Sequence, residues 1–148
     1  MFSKACEYGI RAVLFIAKKS ADGKRSGFKE IASAIDSPEP FTAKILQKLK
    51  IAGILSSVKG PQGGFLLTPG KKTVSLRDIV LAIDEVDVFH QCLLGLKECT
   101  DKFPCPVHHE VKAYKEGIRQ IIRERTVQGL VEEMNSGRTF LKIKKTRK

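Results

Sequence analysis

Apolar positions recur along residues 4–19 at Cys6, Ile10, Val13, Leu14, Ile16 and Ala17, mostly on one face of a helical period, and predict a first amphipathic helix. Asp22-Gly23-Lys24-Arg25-Ser26-Gly27 is loop by composition. Phe28, Ile31, Ala32 and Ile35 predict a short second helix, broken by Ser37-Pro38-Glu39-Pro40. Pro40 suits the first turn of a third helix, marked by Phe41, Ile45, Leu46 and Leu49 and stopped at Gly53. A short helix, a tight break and a second helix within residues 28–52 have the layout of a helix-turn-helix.

Two β-prone runs, 54–59 and 65–68, flank Gly60-Pro61-Gln62-Gly63-Gly64 and predict a hairpin, which directly after a helix-turn-helix is a wing. Ser75-Leu76-Arg77-Asp78 resembles a capping box and opens a helix carrying Leu76, Ile79, Val80, Ile83 and Val86. Residues 88–106 show no sustained period and predict an irregular loop. Val107, Val111, Tyr114, Ile118, Ile121 and Ile122 form a long helical stripe, and Thr126 starts a further turn or two with Leu130, Val131 and Met134. The expected fold is mainly α with a small β-hairpin. Its parts are a winged helix-turn-helix domain at 1–87, a cysteine-rich loop at 88–106, helices at 107–137 and a basic flexible tail at 138–148.

Charge sharpens this picture. The chain has 148 residues, 27 Lys and Arg against 16 Asp and Glu, and a net charge of +11. Such a surplus points to a polyanion. Residues 41–72 carry six lysines and no acid, and this block overlaps the third helix and the wing. Residues 76–110 reverse the sign with seven acids, and residues 138–148 return to six basic groups and none acidic. That last run reads as a solvated, fraying tail. The apolar run at 12–17 is far below the ~20 residues that span a bilayer. No small-residue cleavage site follows it, so neither a membrane nor export is expected, and the setting is cytoplasmic.

A helix fits the major groove and reads bases near its N-terminal end. The expected DNA contacts are therefore Phe41, Thr42, Ala43 and Lys44, with Gln47 and Lys48 one turn on. In the wing they are Ser57, Lys59, Gly60, Pro61 and Gln62, where a glycine-rich tip allows close approach to phosphate or minor groove. A phosphate-binding nucleotide loop fails on spacing. Five residues separate Gly64 from Gly70, and Lys72 stands where Ser or Thr is needed. No catalytic constellation emerges, and no enzyme is expected.

The remaining chemistry lies in Cys92-x6-Cys99-x5-Cys105-x2-His108. Three thiols and an imidazole suit an iron–sulfur cluster or zinc. Tight zinc knuckles are absent, and disulfides or free thiols are the competing accounts. Cys6 lies on an apolar helix face and reads as a small core residue. His109 reads as a solvent-facing neighbour.

Several motifs together resemble the Rrf2 family of winged-helix regulators. They are Glu7-Tyr8-Gly9-Ile10-Arg11-Ala12, Lys29-Glu30-Ile31-Ala32, Leu49-Lys50-Ile51-Ala52-Gly53 and Val58-Lys59-Gly60-Pro61-Gln62-Gly63-Gly64-Phe65. The three loop cysteines before His108 resemble the cluster-binding members of that family, the iron–sulfur regulator IscR and the nitric-oxide-sensitive repressor NsrR, although their first spacer usually has five residues. The resemblance implies a homodimeric transcription regulator, a repressor, that binds a double-stranded operator. Its long helix at about 107–125 would pack against its copy. Its iron–sulfur cluster, 2Fe–2S or 4Fe–4S, would sense redox state, nitric oxide or cluster supply through Cys92, Cys99 and Cys105. His108 is the expected fourth ligand, with Glu7 of the partner chain as the alternative. A cluster-free thiol or zinc regulator of the same fold is the first rival, and a small iron–sulfur carrier the second.

Overall fold

The computed structural model describes residues 2–71, 73–84 and 89–142. Lys72, Val86, the expected domain boundary at 87–88 and the last six tail positions lie outside the described residues. The elements are α1 (Lys4–Ala21), α2 (Phe28–Ala34), α3 (Glu39–Ile51), β1 (Leu55–Val58), β2 (Gly64–Leu67), α4 (Leu76–Asp84), α5 (His108–Glu124) and α6 (Val127–Asn135). The arrangement is a winged helix-turn-helix followed by a long helix, as the periodicity predicts.

Helix α1 is the central post. The Ser3 hydroxyl accepts from the Cys6 backbone N–H at 3.0 Å, which satisfies one free donor of the first turn. Cys6, Gly9, Ala12, Val13, Leu14, Ile16 and Ala17 are buried along its length, against α2, α3, α4, α6 and β2. Asp36 takes a positive φ of 52° in the turn between α2 and α3. Pro38 is the N-cap of α3 and Pro40 sits in its first turn, where a missing N–H costs nothing. Ile45, Leu46 and Leu49 point inward, and Gly53, at φ 73°, ends the helix run.

The hairpin is antiparallel, with Leu55 opposite Leu67 and Ser57 opposite Phe65. A third short segment joins it. The Ser26 N–H donates to Phe65 O at 3.0 Å, and the Phe65 N–H donates to Ser26 O at 2.8 Å. This pairing brings backbone so close to Gly64 that a Cβ there would lie 2.7 Å from Ser26 O, at a φ of 143° that side-chain-bearing residues rarely adopt. Glycine is required at that point of the wing.

Ser75 and Asp78 cap α4 reciprocally. The Ser75 N–H donates to Asp78 Oδ2 at 2.8 Å, and the Asp78 N–H donates to Ser75 Oγ at 3.2 Å. The start of α4 is also pinned to the junction of α5 and α6, through Leu76 N–H to Arg125 O at 3.0 Å and Val127 N–H to Val74 O at 2.8 Å. Thr126 caps α6. Val127 and Val131 are buried where α6 packs on α1. Helix α5 differs from the other long helices. It buries Ile122 but leaves Tyr114 80% and Ile121 56% exposed.

Candidate nucleic-acid interface and metal centre

The turn at 35–38 and Pro40 set the N-terminal end of α3, and the burial of its inner stripe decides which side chains stay free. Ala43, Lys44 and Gln47 are exposed. Thr42 is not: it is fully buried, and its hydroxyl donates to Pro38 O at 3.0 Å. The expected DNA contact by Thr42 is therefore corrected, because the hydroxyl turns back one helical turn and helps fix the start of α3. Phe41 is half-buried, with its ring edge-on to Tyr8 at 5.7 Å. Lys48 is exposed, yet its ammonium donates to Ile83 O in α4 at 3.0 Å. That bond ties the candidate reading helix to the end of α4, close to the entry of the cysteine loop.

In the wing, Lys59, Gly60, Pro61 and Gln62 are exposed at the tip, and Ser57 is half-buried in β1. The tip is braced by a contact with no local sequence signal, Arg25 Nη1 donating to Gln62 O at 3.0 Å. Lys44 and Gln47 on α3 and Lys59 and Gln62 in the braced hairpin are thus all left exposed. Cations and hydrogen-bonding side chains so placed can neutralise phosphates and reach base edges.

The cysteine loop leads from α4 into α5. Its three thiols converge: the Cys92, Cys99 and Cys105 sulfurs all lie within 4.8 Å of one another, and Cys92 and Cys105 are 3.8 Å apart. His108 opens α5, with Nδ1 at 3.1 Å from Cys99 Sγ. Its other nitrogen, Nε2, is 2.9 Å from Asp101 Oδ1. Lys112, one turn along α5, donates to both Asp101 oxygens at 2.7 and 2.8 Å. The carboxylate, held down to about 2 by Lys112 and then His108, accepts the Nε2 proton. The Nδ1 lone pair is thereby turned towards the sulfurs, the outer-shell arrangement that orients a ligating imidazole.

Backbone donors do the same for sulfur. The Leu96 N–H draws the Cys92 thiol down to about 7 against the cost of burial, with help from Leu94 and the neighbouring thiols. The Cys105 N–H favours the Cys99 thiolate, but burial and the adjacent Cys105 and Cys92 thiols outweigh it and push that group up. All four cysteines are free thiols. The converging groups line a cavity of about 340 Å³ that also meets Phe89, Lys115 and Arg119. Arg119 covers the Phe89 ring at 5.6 Å.

Cys6 stands apart from this set. It is completely buried in α1, and burial together with Asp84 pushes its thiol up to about 12. His109 is exposed and packs edge-on against His108. Glu7 is exposed and pairs with Lys4 at 3.2 Å. Sequence reasoning misses Asp101 and Lys112. The His108–Lys112 spacing of four on a helix is the available signal for Lys112, whereas Asp101 has none.

A family model described as Rrf2, iron-dependent transcriptional regulator, matches residues 2–133. A protein of Aquifex aeolicus described as an HTH-type transcriptional regulator is 29% identical over 133 residues, which are 88% of this chain and 91% of that one. A Haemophilus influenzae protein of the same description is 28% identical over 128 residues, 86% of this chain and 84% of that one. Among solved structures, the global cysteine regulator CymR of B. subtilis shares the fold with a TM-score of 0.70 at 19% identity, covering 89% of this chain and 96% of that chain. The IscR of T. potens does so with a TM-score of 0.68 at 20% identity, covering 96% and 93%.

Proposed function

The chain belongs to the Rrf2 family of transcriptional regulators, and on that premise we propose that it is a homodimeric, DNA-binding repressor whose operator affinity is set by an iron–sulfur cluster. The observation that carries this reading is the convergence of Cys92, Cys99 and Cys105 with His108 Nδ1 on one cavity. The donor set fits such a group: three thiols with one imidazole, a thiol already drawn towards its thiolate, and a cavity of about 340 Å³, many times the ~30 Å³ share of one water. Cys92, Cys99, Cys105 and His108 would hold it, with the partner's first helix, carrying Glu7, as the alternative source of the fourth ligand. When bound, the cluster would supply a centre whose oxidation, nitrosylation or loss changes the charge and anchoring of the loop.

The chain's own residues then carry the signal. His108 is the first residue of α5, so whatever fixes its ring fixes the start of that helix. At the other end of the loop, α4 is tied to α3 through Lys48 and Ile83 O. A shift of the loop thus reaches both the candidate dimer helix and the reading helix. Such a shift alters affinity only if the two states make different DNA contacts. Ala43, Lys44 and Gln47 read bases in this account, while Lys59, Gly60, Pro61 and Gln62 meet the backbone or minor groove. The regulator works beside the chromosome, in the cytoplasm. The described helices include none long and apolar enough to cross a membrane.

One observation favours a second reading. With metal–sulfur bonds of about 2.3 Å, a tetrahedral site sets its sulfurs about 3.8 Å apart, and Cys92 and Cys105 have that separation. A zinc or thiol regulator of the same fold is the rival. Anaerobic purification followed by visible absorption and by iron, sulfide and zinc counting separates the two. The expected result is a broad visible band with iron and sulfide in equal amounts. A colourless protein with one zinc per chain, or with no metal after anaerobic reconstitution, would overturn the cluster reading.

A further inference from the structure

Helices α4 and α5 pack together, and they border a second cavity, of about 280 Å³. Arg77 of α4 and Arg119 and Arg123 of α5 converge on it, over an apolar floor of Val80, Phe89 and Ile122. The carboxylates that could neutralise these guanidiniums are engaged elsewhere. On α4, Asp78 caps the helix with Ser75, and Asp84 bonds Ser3 at the start of α1. On α5, Glu116 pairs with Arg119 at 3.1 Å, and Glu124 accepts from Gln120 at 3.0 Å. Among the described residues, Arg77 and Arg123 thus have no carboxylate partner.

Position adds a second argument. Arg77 lies in the first turn of α4, where the helix dipole repels a cation and attracts an anion. Helix stability therefore does not account for its charge. A cleft lined by one sign of charge over apolar walls concentrates counter-ions, and guanidinium forks match the paired oxygens of carboxylate and phosphate. At about 100° per residue, Arg123 stands about 200° around α5 from Ile121, so a partner covering the exposed Tyr114 and Ile121 leaves this cavity open. We infer that the cavity binds a small organic dianion, a phosphate monoester or a dicarboxylate, held by Arg77 and Arg123 with its carbon part over Val80, Phe89 and Ile122. The two unpaired cations set its charge, and a volume just below the ~300 Å³ of the smallest drug-sized pockets sets its size. Arg119 and Phe89 also line the cysteine cavity, so the two sites share a wall.

The test follows backbone amide shifts of the whole, nitrogen-15-labelled chain during titration with glycerol 3-phosphate or with succinate, while chloride holds the ionic strength constant. The expected result is a saturating shift of amides around Arg77, Arg119 and Arg123. A response to one probe alone assigns the cavity to that class of anion. Arg77→Gln with Arg123→Gln should weaken binding at least tenfold. Both side chains are exposed, and each single replacement should weaken binding too, which keeps the test decisive if the double variant misfolds. Lys24→Gln with Lys29→Gln, an equal loss of charge at exposed sites on another face of the chain, should bind as the unsubstituted chain does. The inference falls if neither probe gives a saturating shift, if the shifts are confined to α3 and the wing, if the arginine variants bind unchanged, or if the lysine variant weakens equally.

Discussion

Replacing Cys92, Cys99 and Cys105 together with Ala is expected to abolish iron and sulfide uptake and leave a folded protein. The reason is where each thiol sits. The loop cysteines converge on a cavity lined by the loop and by α5, outside the continuous core built on α1. Cys105 is the most buried of them and is still 8% exposed, so removing its sulfur is an ordinary small loss of about 1 kcal/mol or less. Cys6 is the internal control. It is completely buried and belongs to the core. Cys6→Ala should lower stability modestly and leave cluster content intact. His108→Ala should reduce or retune the cluster, because on the proposed reading the imidazole would be one ligand among several, oriented by Asp101. The measurement is anaerobic reconstitution with iron counting, alongside thermal melts. Stoichiometric iron in the triple variant, or its loss from folded Cys6→Ala, would refute the assignment.

The second large effect is expected at α5. Tyr114 and Ile121 are two turns apart on one face and stay exposed at 80% and 56%, with Val111 and Ile118 half-buried beside them. A lone helix in water does not gain by presenting such a stripe. A second copy would cover it by a two-fold contact, in which each residue meets its own kind or a near neighbour. Tyr114→Asp with Ile121→Asp sets like charges across that contact and touches little of the protomer's own core. The expected outcome is a monomer by sedimentation, with unchanged helix content. Its operator affinity should fall by about 10²–10⁴, since the second half-site is no longer bound intramolecularly. A double variant that stays dimeric with full affinity would show that α5 is not the contact.

The elements that could be read from sequence are those whose ends are set by neighbouring residues. Ser37-Pro38-Glu39-Pro40, Gly53, Ser75 with Asp78, and Thr126 each act within a few positions, and each end falls where that chemistry places it. Apolar periodicity likewise shows the buried faces of α1 and α4. What could not be read depends on distant partners or on one side chain's choice between two roles. Thr42 sits at the edge of the inward stripe of α3. A threonine there can face solvent or bond back to the carbonyl four residues earlier, and the local spacing is the same in both cases. The bond of Lys48 to Ile83 O, the strand-like pairing of Ser26 with Phe65 and the return of Lys142 to Asp36 join positions 35, 39 and 106 apart, which no local pattern encodes. Spacing named the loop residues able to meet. It did not show that Asp101 would turn the His108 ring.

The central claim is that the state of the cysteine loop sets DNA affinity. Its most direct test is anaerobic fluorescence anisotropy of one operator duplex, titrated with reconstituted protein of measured iron content and with the same preparation after chelation, at fixed salt. The account predicts dissociation constants that differ by roughly tenfold or more, equivalent to a coupling of about 1.4 kcal/mol or above. Equal affinities of the fully loaded and the stripped protein for that operator would contradict it.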